Sequence, residues 1–276
     1  MCTLILLQRP GSAWPLLLAA NRDELKTRPW RPPARHWPDR PEVVAGIDDL
    51  SGGSWLGVND HGVVAAVLNR VGTLGPAPDK RSRGELVLDA LDHADAAAAA
   101  EMLSDIDPEA YRPFNLIIAD NHSAWWLRHA GTLPDFGFRT SEGSWREVEA
   151  IRLPHHTAAG ARSTARIECH PVPPGLSMIT ARDLNDTASV RVRHYLPRFR
   201  AVEPPDPERE DWSSWIELLA DRSGPGTTPA DAMTIVVEGD YGTVCSSLVA
   251  LPQEGAPRVL FAAGRPDEAP FTAVAA

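Results

Sequence analysis

Cysteine is scarce: the 276 residues include three, Cys2, Cys169 and Cys245, an odd number without CxxC spacing. That pattern suits neither a disulfide framework nor a zinc site, and a reducing compartment, the cytoplasm, is the expectation. Positive charge is outweighed as well. A formal net charge of −10 repels nucleic acid and anionic membrane surfaces, so neither is an expected partner. No apolar run approaches the about 20 residues that a membrane-spanning helix needs, and no integral membrane segment is expected. The opening runs LILL and PLLLAA are separated by Gln8, Arg9, Pro10 and Gly11, and no basic residue precedes them. They read as a hairpin rather than a leader: Thr3 to Gln8 is one buried strand, Leu16 to Ala20 its partner.

Other absences narrow the chemistry. The nine histidines are scattered, and the neighbours His155 and His156 cannot share a strand or helix face, so no metal site is expected. SGGSWLG lacks the lysine and following helix of a phosphate loop. Ser246 and Ser247 lie in a predicted strand without a nucleophile elbow. Neither an internal repeat nor a linker interrupts the chain, so residues 1–276 are read as one domain.

What is present is an ordinary globular composition, 43% apolar and 23% charged. Residues 26–42, dense in Pro, Arg and Trp, read as an extended surface loop. Val43 to Ile47, Trp55 to Val58 and Gly62 to Leu68 form a predicted meander. Two helices are expected from Ser82 onward, broken near His93 to Asp95. Strands are expected at 114–120, 124–129, 145–153 and 176–180, helices at 188–202 and 211–221, and a last hairpin around Pro252 to Ala256. The tail from about residue 266 reads as loop or disorder. This order predicts an α+β fold with sheets between helical layers.

The second residue is the chemical feature. A small residue after Met1 favours removal of that methionine, which would leave thiol and free α-amine together on Cys2. An α-amine titrates near pH 7.7–8.0 and can act as general base for its own thiol. In an antiparallel hairpin the polar NRDE stretch, Asn21 to Glu24, lies at the same end as Cys2. A carboxylate there could hold the amine, and a guanidinium would favour thiolate. The same residues also suit a solvated strand exit around an inert thiol.

MCT, AANRDE, AGIDDLSGGSWLGVNDHGVVAAVLN, RSRGEL, FNLIIAD and the late YGT together resemble the NRDE family, also called the transport and Golgi organisation protein 2 family. That family is similar to N-terminal nucleophile (Ntn) hydrolases, nearest the cysteine group of bile salt hydrolases, penicillin V acylases and acid ceramidase. The resemblance implies an αββα four-layer sandwich and cleavage of non-peptide amide C–N bonds without a cofactor. It implies Cys2 as nucleophile, Asp23 as the carboxylate on its amine, Asn69 as an oxyanion donor and Asn185 as a second asparagine of the site. The hydrolases carry an arginine three residues before the aspartate, where this chain has Ala20; Arg22 stands beside Asp23 instead, its role open. The family is also associated with lipid and haem handling. The alternative expectation is therefore a non-catalytic carrier of a lipid or haem, against a small-molecule amide as substrate. Oligomeric state is left open.

Overall fold

The computed structural model describes residues 2–131, 165–226 and 228–275. The chain runs β1 (Thr3–Gln8), β2 (Leu16–Leu25), β3 (Trp30–Ala34), β4 (Val43–Asp48), β5 (Leu56–Asn59), β6 (Val64–Asn69), α1 (Gly84–Leu91) and α2 (Ala96–Ser104). It continues with β7 (Phe114–Ala119), β8 (Ala124–His129), β9 (Ile167–Pro171), β10 (Gly175–Ile179), α3 (Val190–Ala201), α4 (Ser213–Leu219), β11 (Tyr241–Leu251), β12 (Arg258–Ala262) and β13 (Thr272–Ala273). One sheet has six strands in the order β10-β1-β2-β11-β12-β13, the other seven in the order β3-β4-β5-β6-β7-β8-β9. All neighbouring pairs are antiparallel.

Side-chain alternation divides the apolar residues among three cores. Leu4, Leu6, Leu16 and Leu18 face the other sheet and meet Leu56, Val58, Val64, Ala66 and Ile117. Their neighbours Ile5, Leu7, Leu17 and Ala19 face outward onto Val192, Tyr195, Phe199, Trp215 and Leu219 of α3 and α4. On the far side, Ala65, Leu116 and Ile118 pack under Leu86, Val87, Ala99 and Leu103 of α1 and α2. The layers are therefore α, β, β, α, as expected. Both faces of each sheet are covered, which is why β1 is a continuous buried run instead of an alternating one.

Boundaries depart from expectation where apolar content was the guide. The second strand does not stop at Ala20: β2 carries NRDE within it, because β11 pairs with it as far as Leu25. The 26–42 stretch is not all loop, since Trp30–Ala34 forms the edge strand of the seven-stranded sheet. Its pairing slips between Arg31 and Ala34, where Pro32 and Pro33 have no N–H to offer, and an edge position tolerates that. Strand β9 has too mixed a composition to announce itself, and the expected strand at 145–153 lies outside the described residues. Thr272–Ala273 of the tail adds a short strand to β12. Asp95 ends the break between the first two helices by accepting the Ala98 N–H at 2.8 Å, an N-cap. Among the described residues no helix is long and apolar enough to cross a membrane.

Two glycine-bearing stretches that looked separate in sequence meet in space. Gly53, in SGGSWLG, lies against the backbone of Gly84, the first residue of α1, and Ser54 donates its N–H to the Gly84 carbonyl at 3.0 Å. A Cβ on Gly53 would fall 2.5 Å from the Gly84 carbonyl carbon, a backbone atom that cannot swing aside. Gly53→Ala is accordingly expected to cost about 1–3 kcal/mol, the usual range for overpacking. Chemical denaturation of the two proteins checks it, and an unchanged midpoint would show that α1 shifts freely.

Candidate active site

Cys2 immediately precedes β1, which is flanked by β2 and β10. It packs with Ala20 and Trp55 against the core between the sheets. The hairpin register, Thr3 opposite Asn21, brings its sulfur to the backbone of Asp23: the Asp23 N–H donates to Sγ at 3.4 Å and Sγ lies 3.5 Å from the Asp23 carbonyl oxygen. Burial pushes the thiol pKa above the ordinary value, the negative charge of Asp23 adds to this, and Arg22 opposes it. At neutral pH the group is a thiol in need of a base.

The Asp23 carboxylate points to the other face of the sheet, toward α3. One oxygen accepts from the Thr243 hydroxyl at 2.6 Å, the other from Arg191 Nη1 at 3.1 Å. Arg191 also donates to the Thr3 hydroxyl at 2.6 Å and to the Ala230 carbonyl at 2.8 Å. The side chains of the pair are 0% and 5% exposed, so the charges are separated from water and depend on each other. Thr243 reaches this face because β11 bulges: Thr243 pairs with Asp23 and Cys245 with Arg22, leaving Val244 as the extra residue.

Arg22 faces inward with Cys2. Its guanidinium lies 4.3 Å over the Trp55 ring and donates through Nη2 to Asp48 at 3.0 Å. Arg28 binds the same carboxylate with two nitrogens. Burial works to raise the Asp48 pKa, but the Arg28 hydrogen bond and charge, helped by Arg22, outweigh it and hold the carboxyl below its usual range. Arg22 is 6% exposed, and its buried Nη1 has no hydrogen-bond partner among the described residues. Cys2, Ala20, Arg22, Trp55, Leu68 and Cys245 wall a cavity of about 20 Å³, room for one water molecule. Cys245 is two strands away from Cys2, roughly 10 Å by strand spacing, too far for a disulfide. Its own buried thiol is driven far up in pKa by desolvation and offers no rival nucleophile.

The expected residues are thus partly assembled. Cys2, Arg22 and Asp23 share the start of the β1–β2 hairpin. Asn69 closes β6 and by alternation shares the face of Ala65 and of its partner Phe114, toward the helices, whereas the cavity is lined by Ala66, Val67 and Leu68 of that strand. Asn185, with a left-handed φ of 59°, accepts from the Met178 N–H at 2.8 Å and donates to the Ser177 hydroxyl at 3.1 Å. It braces β10 and is not a cavity wall. Sequence reasoning missed Arg191, Thr243, Asp48 and Trp55. Arg191 had a legible signal: it stands four residues before Tyr195 and eight before Phe199, in phase with the buried stripe of α3. Among the described residues no cluster of metal-ligating side chains occurs.

Removing one partner of the buried pair leaves an uncompensated charge. Arg191→Met is expected to lower stability by about 3–5 kcal/mol. Thermal and urea unfolding check this, and a loss under 1 kcal/mol would mean that the other partners of Asp23, Thr243 among them, suffice for its charge.

The sequence pattern of the family described as Transport and Golgi organisation 2 matches residues 1–151, more than half of the chain. The mouse Transport and Golgi organization 2 homolog is 38% identical over 120 residues, 41% of this chain and 42% of that protein. The human homolog is 39% identical over 124 residues, 42% and 43% of the respective chains. The match thus spans about two fifths of each relative's length. Among solved structures, the Caenorhabditis elegans ortholog of N-acylethanolamine-hydrolyzing acid amidase covers 90% of this chain, which covers 92% of it, at 14% identity and a TM-score of 0.49. The C2A mutant of conjugated bile acid hydrolase from Clostridium perfringens covers 100%, with 97% of its own chain, at 11% identity and a TM-score of 0.45. Both scores lie below 0.5, and the αββα order rests on the three cores. With its pattern matched across more than half its length, the chain belongs to the Transport and Golgi organisation 2 family.

Proposed function

We propose that this protein is a cofactor-free N-terminal cysteine amidohydrolase of the cytoplasm, cleaving a linear, non-peptide amide with a small apolar acyl group. One observation carries the reading: Cys2 lies in a walled cavity, in register with Arg22 and Asp23, at the start of a strand flanked on both sides. The Cys2 thiol meets the Asp23 backbone, and the Asp23 carboxylate lies on the opposite face with Arg191 and Thr243; the backbone nitrogen of Cys2 belongs to the residue that joins these two groups. Removal of Met1 turns that nitrogen into an amine. The amine takes the thiol proton as sulfur bonds the acyl carbon. The resulting ammonium then protonates the leaving nitrogen as the C–N bond breaks. Water, deprotonated by the same amine, resolves the thioester to a carboxylic acid and restores the thiol. In this reading Asp23, fixed by Arg191 and Thr243, orients the amine.

A second reading has its own observation. A groove of about 510 Å³ runs between Pro32, Pro33 and Ala34 of β3 and Phe261, Thr272 and Val274, large enough for an apolar ligand and consistent with a lipid carrier. Haem fits this groove poorly, since none of the residues lining it supplies an axial ligand.

Intact-mass analysis is expected to show the chain starting at Cys2, then a single added acyl group on incubation with N-acyl amides. Retention of Met1 in the bulk of molecules would remove the base and end the mechanism. Hydrolysis should rise with pH through about 7.7–8.0, the range of an α-amine. A form retaining Met1 should show thiol alkylation only at more alkaline pH, because burial raises the Cys2 pKa. Asp23→Asn should abolish acylation in protein that remains folded, and unchanged acylation kinetics would reduce Asp23 to a structural charge. Lipid binding without any Cys2-dependent hydrolysis would favour the carrier.

A further inference from the structure

We infer that Arg22 is the oxyanion donor of this site, its Nη1 binding the acyl carbonyl oxygen of the substrate beside Cys2. The inference rests on the amidohydrolase reading and gives a role to a residue whose function the family resemblance leaves open. Arg22 and Cys2 wall the same cavity. The guanidinium is 94% buried by its 6% exposure, one terminal nitrogen is spent on Asp48, and the other has no partner among the described residues. A buried donor left without an acceptor costs about 1–3 kcal/mol, more when charged, so an acceptor at that place is favoured.

The surrounding charge says which acceptor. Arg22 and Arg28 are balanced by Asp48 and Glu24, the latter 4.0 Å from Arg22. A ligand with a permanent negative charge meets a guanidinium already neutralised. A carbonyl, neutral when it binds and anionic only in the tetrahedral intermediate, meets a donor aimed at charge that develops. Asp48 on one nitrogen and the Trp55 ring 4.3 Å beneath hold the guanidinium plane, so little reorganisation accompanies the reaction. As sulfur adds to the acyl carbon the C=O π pair moves onto oxygen, and Arg22 keeps all its protons throughout. Neither Asn69 nor Asn185 lines this cavity.

Thiol activation and oxyanion stabilisation can be separated on the mature protein, because alkylation needs thiolate but forms no oxyanion. Single-turnover acylation by hexanoyl p-nitroanilide and alkylation by iodoacetamide are followed by intact mass across pH, and their limiting alkaline rates compared. Arg22→Gln, and Arg22→Lys, which keeps the charge on Asp48 but not the fork, should lower limiting acylation about 100-fold. Limiting alkylation should change less than about threefold. Undiminished acylation in either folded variant, or acylation and alkylation falling in parallel, overturns the inference. So does a 100-fold acylation loss in Asn69→Ala while Arg22→Lys keeps its rate. Wild-type protein that alkylates but never acylates has a different signature: it rejects the amidohydrolase reading, and the inference with it.

Discussion

Everything around Cys2 depends on the register of three strands buried on both faces. With Thr3 opposite Asn21 and Arg22 opposite Cys245, alternation sends Arg22 into the space between the sheets and Asp23 into the layer beneath α3. A slip of one residue would exchange them, placing a carboxylate beside the thiol and a guanidinium against Arg191. The apolar residues of β1 and β2 resist such a slip only weakly, since both faces are apolar. The polar groups resist it strongly, because each charge has its complement waiting on one face only.

That division of charge is also a division of labour. The outer pair, Asp23 and Arg191, is sealed from solvent and braces the strand ends through Thr3 and Thr243. The inner group, Arg22 with Asp48 and Arg28, leaves one nitrogen of a cavity-lining guanidinium without a partner among the described residues. Buried ion pairs of this kind contribute little net stability against an apolar alternative of the same shape. Their retention in two adjacent layers is easier to understand through the site they shape than through the stability of the sandwich.

The layer order was legible because long apolar runs such as TLILLQ and FNLIIA, with helices between them, demand sheets covered on both faces. Cys2, Arg22 and Asp23 were legible because a hairpin brings its two ends together. What stayed hidden depends on contacts distant in sequence. Arg191 sits in a helix rich in arginine, and only its phase with Tyr195 distinguishes it. Asp48 reads as a turn residue until Arg22 and Arg28 arrive. Asn69 illustrates the reverse: its place at the end of β6 matched a family pattern, yet face is decided by parity, and parity puts it with Ala65 and Phe114 on the helix side. Pro32 and Pro33 concealed an edge strand because proline argues against a central strand but not against an outermost one.

The bulge at Val244 has a consequence for how this strand can vary. Before it, odd-numbered residues of β11 face α3; after it they face the opposite sheet, so Thr243 serves Asp23 while Cys245 lines the cavity. The strand thereby delivers side chains from alternate sequence positions to two different compartments, which an unbroken strand cannot do. The bulge itself is consequently what must be kept at this point: pairing Val244 into the ladder while Cys245 stays opposite Arg22 would turn Thr243 toward the cavity and leave Asp23 without its hydroxyl donor, even with no chemically important side chain replaced.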